Sequence, residues 1–244
     1  MIRVALFDID GTLLLTAGAG RRAFIEALRE TAGYDAEDQP FDFAGRTDLE
    51  IFSTLLARAG IPRPDAAIRN RFWKTYLAIL DRELATMAGG GLCPGVLDLL
   101  DALLGDPEFR VGLVTGNIEE AAHKKLARFG IDSPFAFGAY GSDNEDRDRL
   151  VPLARARAEA IEGRPIHAGA CVVIGDTLHD IRCARAGGAR VLAVATGFYE
   201  SAALAAAKPD LLLDDLSRTG EVLAALRELS DPPPQDPATP HRGG

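Results

Sequence analysis

Residues 2–12, Ile-Arg-Val-Ala-Leu-Phe-Asp-Ile-Asp-Gly-Thr, decide the fold because an apolar run ends there in two closely spaced carboxylates. The run through Phe7 predicts a buried strand, and Asp8 and Asp10 lie where that strand gives way to a turn. Side chains on a strand alternate between faces, so both carboxylates would share one face if the strand geometry persisted. Open α/β sheets keep their active sites at the carboxyl ends of their strands. The stretch therefore predicts a site suited to a hard cation and an electrophile such as phosphorus.

Beyond residue 92 the chain alternates short apolar runs with helical patterns. We predict strands at residues 111–115, 135–140, 171–174, 191–195 and 211–213. We predict helices at residues 96–104, 119–129, 151–161 and 180–186. Such alternation is typical of a parallel sheet covered by helices on both faces. With the first strand in the same sheet, the sequence predicts an α/β fold whose Rossmann-like parallel sheet forms the middle of three α/β/α layers.

A helical segment separates the first strand from the others. Apolar residues recur at helical spacing in residues 18–29 and 64–86, and residues 47–50 (Thr-Asp-Leu-Glu) have the pattern of a capping box that opens another helix. Gly89-Gly90-Gly91 then breaks the helical pattern. We therefore predict a core from residues 1–15 and 91–230, an inserted helical cap from residues 16–90, and a disordered Pro-rich tail from residues 231–244.

Composition, charge and cysteine usage disfavour several classes of protein. The 244 residues carry a net charge of −9 and no long Lys/Arg cluster, so we expect no nucleic-acid partner. The amino terminus lacks the regions of a signal peptide, and no apolar run approaches the roughly 20 residues that a membrane helix needs. Cys93, Cys171 and Cys183 are odd in number and far apart, which predicts free thiols. We expect a cytoplasmic monomer or homodimer without a membrane partner.

Two other predicted strands also end in polar residues. Thr115-Gly116-Asn117 ends one of them, and Gly175-Asp176, with Asp180 shortly after, ends the other. Both segments put hydroxyl or carboxylate groups beside a helix amino terminus, where orphan N–H groups and the helix dipole favour phosphate.

Together these motifs resemble the phosphatase branch of the haloacid dehalogenase superfamily, over residues 1 to about 229. The first motif of that family, Asp-x-Asp-Gly-Thr, matches Asp8, Asp10, Gly11 and Thr12. The second, a Ser or Thr at the end of a strand, matches Thr115, and the fourth, Gly-Asp-x-x-x-Asp, matches residues 175–180. The segment around the fourth motif is most similar to phosphoglycolate phosphatases, and a helical insert between the first two motifs is what that group calls a type 1 cap.

The third motif departs from the family pattern, which usually has a lysine in Lys-Pro-x-Pro. The register Arg149-Leu150-Val151-Pro152 puts Arg149 at the lysine position and keeps only the second proline, while Arg147 is the competing candidate. Arginine keeps the positive charge and can contact a carboxylate and a phosphate together. The sequence leaves both arginines open, and we expect the other one in a surface ion pair.

The resemblance implies a two-step phosphoryl transfer. Asp8 would attack phosphorus and form an aspartyl-phosphate, and Asp10 would protonate the leaving alkoxide and then activate the hydrolytic water. Mg²⁺ would be held by Asp8, the backbone carbonyl of Asp10 and Asp176, with Asp180 orienting one of its waters. Thr115 and either Arg147 or Arg149 complete the expected catalytic set. The expected phosphate and substrate contacts are Gly11, Thr12, Gly116, Asn117 and, from the cap, Arg46, for which a solvated arginine before a capped helix is an equal alternative.

The activity that the resemblance implies is hydrolysis of a small phosphomonoester, phosphoglycolate-like or a sugar phosphate, so the expected partner is a small phosphorylated metabolite. One alternative is a phosphosugar mutase of the beta-phosphoglucomutase type, which would pass the phosphoryl group to a sugar. A 2-haloacid dehalogenase is disfavoured, because Asp10 would have no alkoxide to protonate. A non-catalytic phosphate-binding regulator has only the altered third motif in its favour.

Overall fold

The computed structural model describes residues 1–36 and 41–231. The strands are β1 (Arg3–Phe7), β2 (Leu14–Leu15), β3 (Gly91–Leu92), β4 (Phe109–Val114), β5 (Gly138–Ala139), β6 (Cys171–Gly175), β7 (Arg190–Val194) and β8 (Leu211–Leu213). The α-helices are α1 (Ala19–Ala32), α2 (Asp48–Arg58), α3 (Ala66–Thr86), α4 (Val96–Leu104), α5 (Glu119–Arg128), α6 (Leu150–Glu162), α7 (Leu178–Ala186), α8 (Ser201–Ala206) and α9 (Thr219–Ser230). Two short 3-10 turns span Arg147–Arg149 and Ala168–Ala170.

Six strands form one parallel sheet in the order β5-β4-β1-β6-β7-β8. The central strand β1 alternates between two apolar clusters, with Ala5 and Phe7 in one and Val4 and Leu6 in the other. The first cluster is closed by α4, α5 and α9, and the second by α6, α7 and α8. Helices on both faces of a parallel sheet confirm the predicted three-layer α/β/α fold.

The helices α1, α2 and α3 bury their apolar faces against one another. Their cluster centres on aromatic rings, including Phe24, Phe52 and Phe72, and is separate from the two clusters that flank the sheet. The strands β2 and β3, which pair antiparallel, lie where the chain leaves the sheet for these helices and where it returns. The cap boundaries at residues 16 and 90 stay a prediction, which this separate packing supports.

Several elements differ from the prediction. Only Gly138 and Ala139 of the segment 135–140 pair with the sheet, because this strand lies at its edge beside β4. The short strands β2 and β3 and the helices α8 and α9 were not predicted, and α6 extends one residue beyond each end of the predicted range 151–161.

The carboxyl terminus and the cysteines complete the comparison. Asp231 accepts a hydrogen bond from Arg3, and residues 232–244 of the predicted tail lie outside the described residues. The three cysteines are buried and free, as predicted. Within the described ranges, none of the helices combines the length and the apolarity needed to cross a bilayer.

Candidate active site

Three strand ends meet at the carboxyl edge of the sheet. Phe7, the last residue of β1, is in register with Leu113 of β4 on one side and Ile174 of β6 on the other. Asp8 therefore lies between the residues that follow these neighbouring strands, which brings the first, second and fourth motifs together. The order of strands places this site next to the central strand, where open α/β sheets bind their ligands.

A buried acidic cluster forms at this edge. Asp8, Asp176 and Asp180 are all buried, and one carboxylate oxygen from each lies within 4.8 Å of the others. Burial raises the pKa of Asp8 from 3.8 to about 7; Arg147 opposes this shift, and the charges of Asp180 and Asp10 add to it. Burial, together with the charges of Asp8 and Asp180, raises the pKa of Asp176 well above its usual value, against the opposing effects of the Thr12 hydrogen bond and the Arg147 charge. Closely spaced carboxylate oxygens with too little positive charge around them fit a hard divalent cation such as Mg²⁺.

Asp180 owes its position to the start of α7. Thr177 and Asp180 form a reciprocal capping box, in which the Thr177 N–H donates to Asp180 Oδ2 at 3.0 Å. The other oxygen of Asp180 accepts from Arg147. Gly175 is required beneath it, since a Cβ atom there would lie 2.3 Å from Asp180 Cγ. The helix start thus holds Asp180 against Asp8 and Asp176.

The structure separates the two candidate arginines. Arg147 is 2% exposed; its Nη2 donates to Asp8 Oδ1 at 3.1 Å and to Asp180, and its Nη1 donates to the Gly45 carbonyl at 3.1 Å. Arg149 has a side chain that is 74% exposed, and it lies 3.8 Å from Asp146 in a surface ion pair. Of the two arginines that the sequence left open, Arg147 is therefore the one at the acidic cluster, and Arg149 forms the surface ion pair. Residues two apart in a 3-10 turn, with three residues per turn, point in different directions, so only one of these arginines faces the site.

Two neighbouring predicted phosphate contacts, Gly11 and Thr12, differ in whether they line the cavity. Thr12 is fully buried and its hydroxyl donates to Asp176 Oδ1 at 2.9 Å, so it supports the acidic cluster and does not line the cavity. Gly11 does line the cavity, and it has a positive φ of 91° and no room for a side chain, because a Cβ atom would lie 2.3 Å from Asp176 Oδ2. Thr12 is a correction to the predicted contacts, caused by its complete burial beside Asp176.

A cavity of about 440 Å³ opens over these residues, between the sheet edge and the three helices of residues 16–90. Asp8, Asp10, Thr115 and Gly116 line its floor. From the helical side it is lined by Arg21, Phe24, Phe43, Arg46, Asp48, Ile51 and Tyr76. A pocket of this size holds a small metabolite.

The segment at the start of α2 attaches the helices of residues 16–90 to the loops that follow β4 and precede α6. The Asp48 N–H donates to the Gly116 carbonyl at 2.7 Å, and its carboxylate accepts from the Ile118 N–H at 2.8 Å. The Thr47 hydroxyl donates to the Glu145 carbonyl at 2.7 Å. Arg46 lines the cavity, but its guanidinium forms an ion pair with Glu50 on α2, the helix that follows it.

The carboxylate of Asp10 points away from the acidic cluster. Its Oδ2 accepts from the Nζ of Lys125 at 2.6 Å and from the Nδ2 of Asn117 at 2.8 Å. Asp10 was predicted as a metal ligand through its backbone carbonyl, and its carboxylate takes no part in the cluster found among the described residues. The Asn117 amide also donates to the Thr115 hydroxyl at 2.8 Å, so its side chain contacts two of the predicted catalytic residues. Ile118 occupies the N-cap position of α5.

Lys125 was missed by the sequence analysis. Its side chain is only 5% exposed, although it lies on a helix whose other charged residues face outward. The signal was its spacing: Lys125 follows the buried residues Ala121 and Ala122 by four and three positions, which puts a lysine on the apolar face of α5.

The fold and the acidic site define a hydrolase class. A family model for haloacid dehalogenase-like hydrolases matches residues 5–185, and the chain belongs to that family. Among curated relatives, it is 28% identical to the "probable phosphatase IndB" of Dickeya dadantii, covering 94% of this chain and 97% of that protein. It is also 28% identical to a phosphoglycolate phosphatase of Synechococcus elongatus, covering 93% of this chain and 99% of that protein.

Solved structures agree with this fold. A beta-phosphoglucomutase from Clostridium difficile superposes with a TM-score of 0.71 at 17% identity, covering 93% of this chain and 98% of that one. A predicted phosphoglycolate phosphatase from Haemophilus somnus gives a TM-score of 0.67 at 19% identity, covering 91% of this chain and 98% of that one. At such low identity the likeness establishes the fold alone.

Proposed function

We propose that this protein is a Mg²⁺-dependent phosphatase that hydrolyses a small phosphomonoester through an aspartyl-phosphate on Asp8. The observation that carries the proposal is the position of Asp8, which lies on the cavity floor with Arg147 on one carboxylate oxygen and Asp176 and Asp180 beside it. Relatives of nearly full length that are named phosphatases support the same reaction class.

Asp8 supplies the nucleophile. One of its oxygens attacks phosphorus while the bond from phosphorus to the leaving oxygen breaks, which leaves the phosphoryl group on the Asp8 carboxylate. Arg147 reduces the repulsion between this carboxylate and the incoming phosphate, a repulsion of several kcal/mol at about 4 Å and intermediate dielectric. The Thr115 hydroxyl and the backbone at Gly116 face the same part of the cavity and would hold phosphate oxygens.

Asp10 supplies the proton transfers. In the first half of the reaction its carboxyl gives a proton to the leaving alkoxide. In the second half its carboxylate takes a proton from the water that attacks the phosphorus of the aspartyl-phosphate, which releases inorganic phosphate and restores Asp8. Because Asp10 lines the cavity and its side chain is 41% exposed, both leaving group and water can reach it.

Asp8, Asp176 and Asp180 are the residues that would hold the cation, together with the backbone carbonyl of Asp10. When bound, Mg²⁺ would offset the negative charge of this cluster and of the phosphate. The substrate would be a small phosphorylated metabolite, phosphoglycolate-like or a sugar phosphate, bound under the helices of residues 16–90. We place the protein in the cytoplasm as a monomer or homodimer, with no nucleic-acid or membrane partner.

The test is phosphate release from p-nitrophenyl phosphate and a panel of phosphorylated metabolites, with Mg²⁺ and with EDTA. We expect release that requires Mg²⁺ and that Asp8→Asn and Asp10→Asn each abolish. A matched control is the exposed Asp101→Asn on α4, which should keep wild-type activity. Full activity of Asp8→Asn would refute the mechanism. Isomerisation of a sugar phosphate without phosphate release would indicate the mutase, and halide release from a 2-haloacid would indicate a dehalogenase.

A further inference from the structure

The charged ammonium group of Lys125 is buried. Its side chain is 5% exposed, and its neighbours on the same face of α5 are Ala121, Ala122 and Leu126. Burying an ammonium group is unfavourable unless hydrogen bonds and opposite charge compensate for the lost water. The partners of the ammonium therefore show what this lysine does.

Those partners belong to the proposed catalytic residues. The ammonium lies 2.6 Å from Asp10 Oδ2 and 2.6 Å from Asn117 Oδ1. The Asn117 amide donates to the same oxygen of Asp10 at 2.8 Å and to the Thr115 hydroxyl at 2.8 Å. One carboxylate oxygen of Asp10 is thus held by two donors that connect it to Thr115.

This network decides the direction of the Asp10 side chain. Asp8, Asp176 and Asp180 gather their carboxylates within 4.8 Å, and Asp10 is not part of this cluster. Among the described residues, the Asn117 amide is the other side-chain donor to the Asp10 carboxylate, so it would hold that carboxylate alone without the ammonium. A carboxylate two residues from Asp8 would then be free to turn toward other partners.

We propose that Lys125 is a positioning residue, whose buried ammonium fixes the Asp10 carboxylate on the side of the cavity where the leaving group departs. This inference rests on the proposed phosphatase function, in which Asp10 gives its proton to the leaving oxygen. Proton transfer needs a donor and acceptor at hydrogen-bond distance, so a loosely held carboxyl group is a poorer acid.

The helices over the cavity enclose the same ammonium. Gly20 of α1 lies so close that a Cβ atom there would be 3.1 Å from Lys125 Nζ and 3.3 Å from its Cε. Asp48, at the start of α2, is buried, which raises its pKa from 3.8 to about 6, and the charge of Lys125 opposes this rise. Lys125 therefore acts where the sheet domain and the helical segment meet.

The leaving group provides the test, because nitrophenolate departs with little help from an acid and the more basic phenolate needs it. We compare kcat/KM for phenyl phosphate and p-nitrophenyl phosphate, which have almost the same shape, in Lys125→Met. Lys124→Met is the matched control, since this neighbouring lysine forms an exposed ion pair with Asp81, away from Asp10. For Lys125→Met we expect kcat/KM to fall about tenfold more with phenyl phosphate than with p-nitrophenyl phosphate, and no such difference for Lys124→Met.

A second comparison shows whether Lys125 acts through Asp10. In an Asp10→Asn background, Lys125→Met should change the single-turnover rate of nitrophenolate release from p-nitrophenyl phosphate by less than twofold, because the carboxyl group that it positions is gone. If Lys125→Met does not fold, kcat/KM for the two substrates is compared between the double variant Asp48→Asn/Lys125→Met and the single variant Asp48→Asn. The double variant lacks both charges, so it has no carboxylate at position 48 that has lost its neighbouring cation.

Equal losses for both substrates, no loss, or a full additional loss in Asp10→Asn would each overturn the role of Lys125. These outcomes differ from a failure of the proposed function. The proposed function fails if the wild type releases no phosphate or if Asp8→Asn remains active. The inference about Lys125 can fail on its own, while the wild type is active and Asp8→Asn is inactive.

Discussion

Asp8→Asn should make the metal-free protein more stable at alkaline pH. The pKa of Asp8 rises from 3.8 to about 7 in the folded protein, chiefly because the carboxyl is buried, so the folded state binds this proton more tightly than the unfolded chain does. The contribution of Asp8 to the free energy of unfolding of the wild type is therefore largest below pH 4 and falls as the pH rises from about 4 to about 7. Asparagine has no proton to lose, so the variant lacks this decline.

The magnitude follows from the shift in pKa. About 3 pKa units at 1.36 kcal/mol each give about 4 kcal/mol at pH 8, and less than about 2 kcal/mol at pH 5. In a chain of this size, 4 kcal/mol corresponds to a rise in Tm of roughly 8–16 °C. Arg147 loses one charged partner in the variant but keeps Asp180.

The assay is thermal and urea unfolding in EDTA at pH 5 and pH 8. The exposed Asp101→Asn serves as the control, and it should leave the pH dependence of Tm as in the wild type. An Asp8→Asn protein that is less stable than the wild type at pH 8, or a difference that is equally large at pH 5, would refute the reasoning.

Three further predictions follow from the same contacts. Arg147→Gln should lower kcat/KM by about 100-fold or more, since it removes the cation from Asp8, while the exposed Arg149→Gln should stay within about twofold of the wild type in the same steady-state assay. Adding Mg²⁺ at pH 8 should raise the Tm of the wild type and EDTA should reverse this, whereas Asp176→Asn should respond much less; an equal response of both proteins in a thermal scan would contradict the assigned cluster. Asp48→Ala should reduce the free energy of unfolding by about 1–3 kcal/mol and raise KM, because it leaves the Ile118 N–H without its acceptor. Urea titration measures the first effect and steady-state kinetics the second. An unchanged KM would count against the attachment of α2 to the loop of residues 115–118.

The sequence predicted best those features that depend on short stretches of the chain, namely the polar residues at strand ends and the alternation of strands and helices. Asp8, Thr115 and Asp176 each follow an apolar run, and parallel strands bring their carboxyl ends to one edge, so the site could be assembled before its geometry was known. The three-layer fold followed from the same alternation of strands and helices. The edge strand β5 was overestimated, because an apolar run does not reveal how many of its residues find a hydrogen-bonding neighbour.

Contacts across long distances in sequence could not be predicted in this way. Arg147 contacts Asp8, 139 positions away, from a short 3-10 turn, and neither α-helical nor strand periodicity predicts which of the two nearby arginines faces inward. Lys125 reaches Asp10 over 115 positions. On the sequence it is one charge among several on α5, and its spacing from Ala121 and Ala122 was the single local sign that it is buried.

The central claim is that Asp8 carries the phosphoryl group, and the most direct measurement is mass spectrometry of Asp10→Asn after acid quenching of its reaction with p-nitrophenyl phosphate and Mg²⁺. This variant still has the nucleophile but lacks the base that activates water, and its leaving group needs little protonation, so the intermediate should accumulate. We expect one added phosphoryl group on the peptide that contains Asp8, and none when Asp8→Asn is added to the same protein. Nitrophenolate release by Asp10→Asn without a phosphorylated Asp8 peptide would contradict the account.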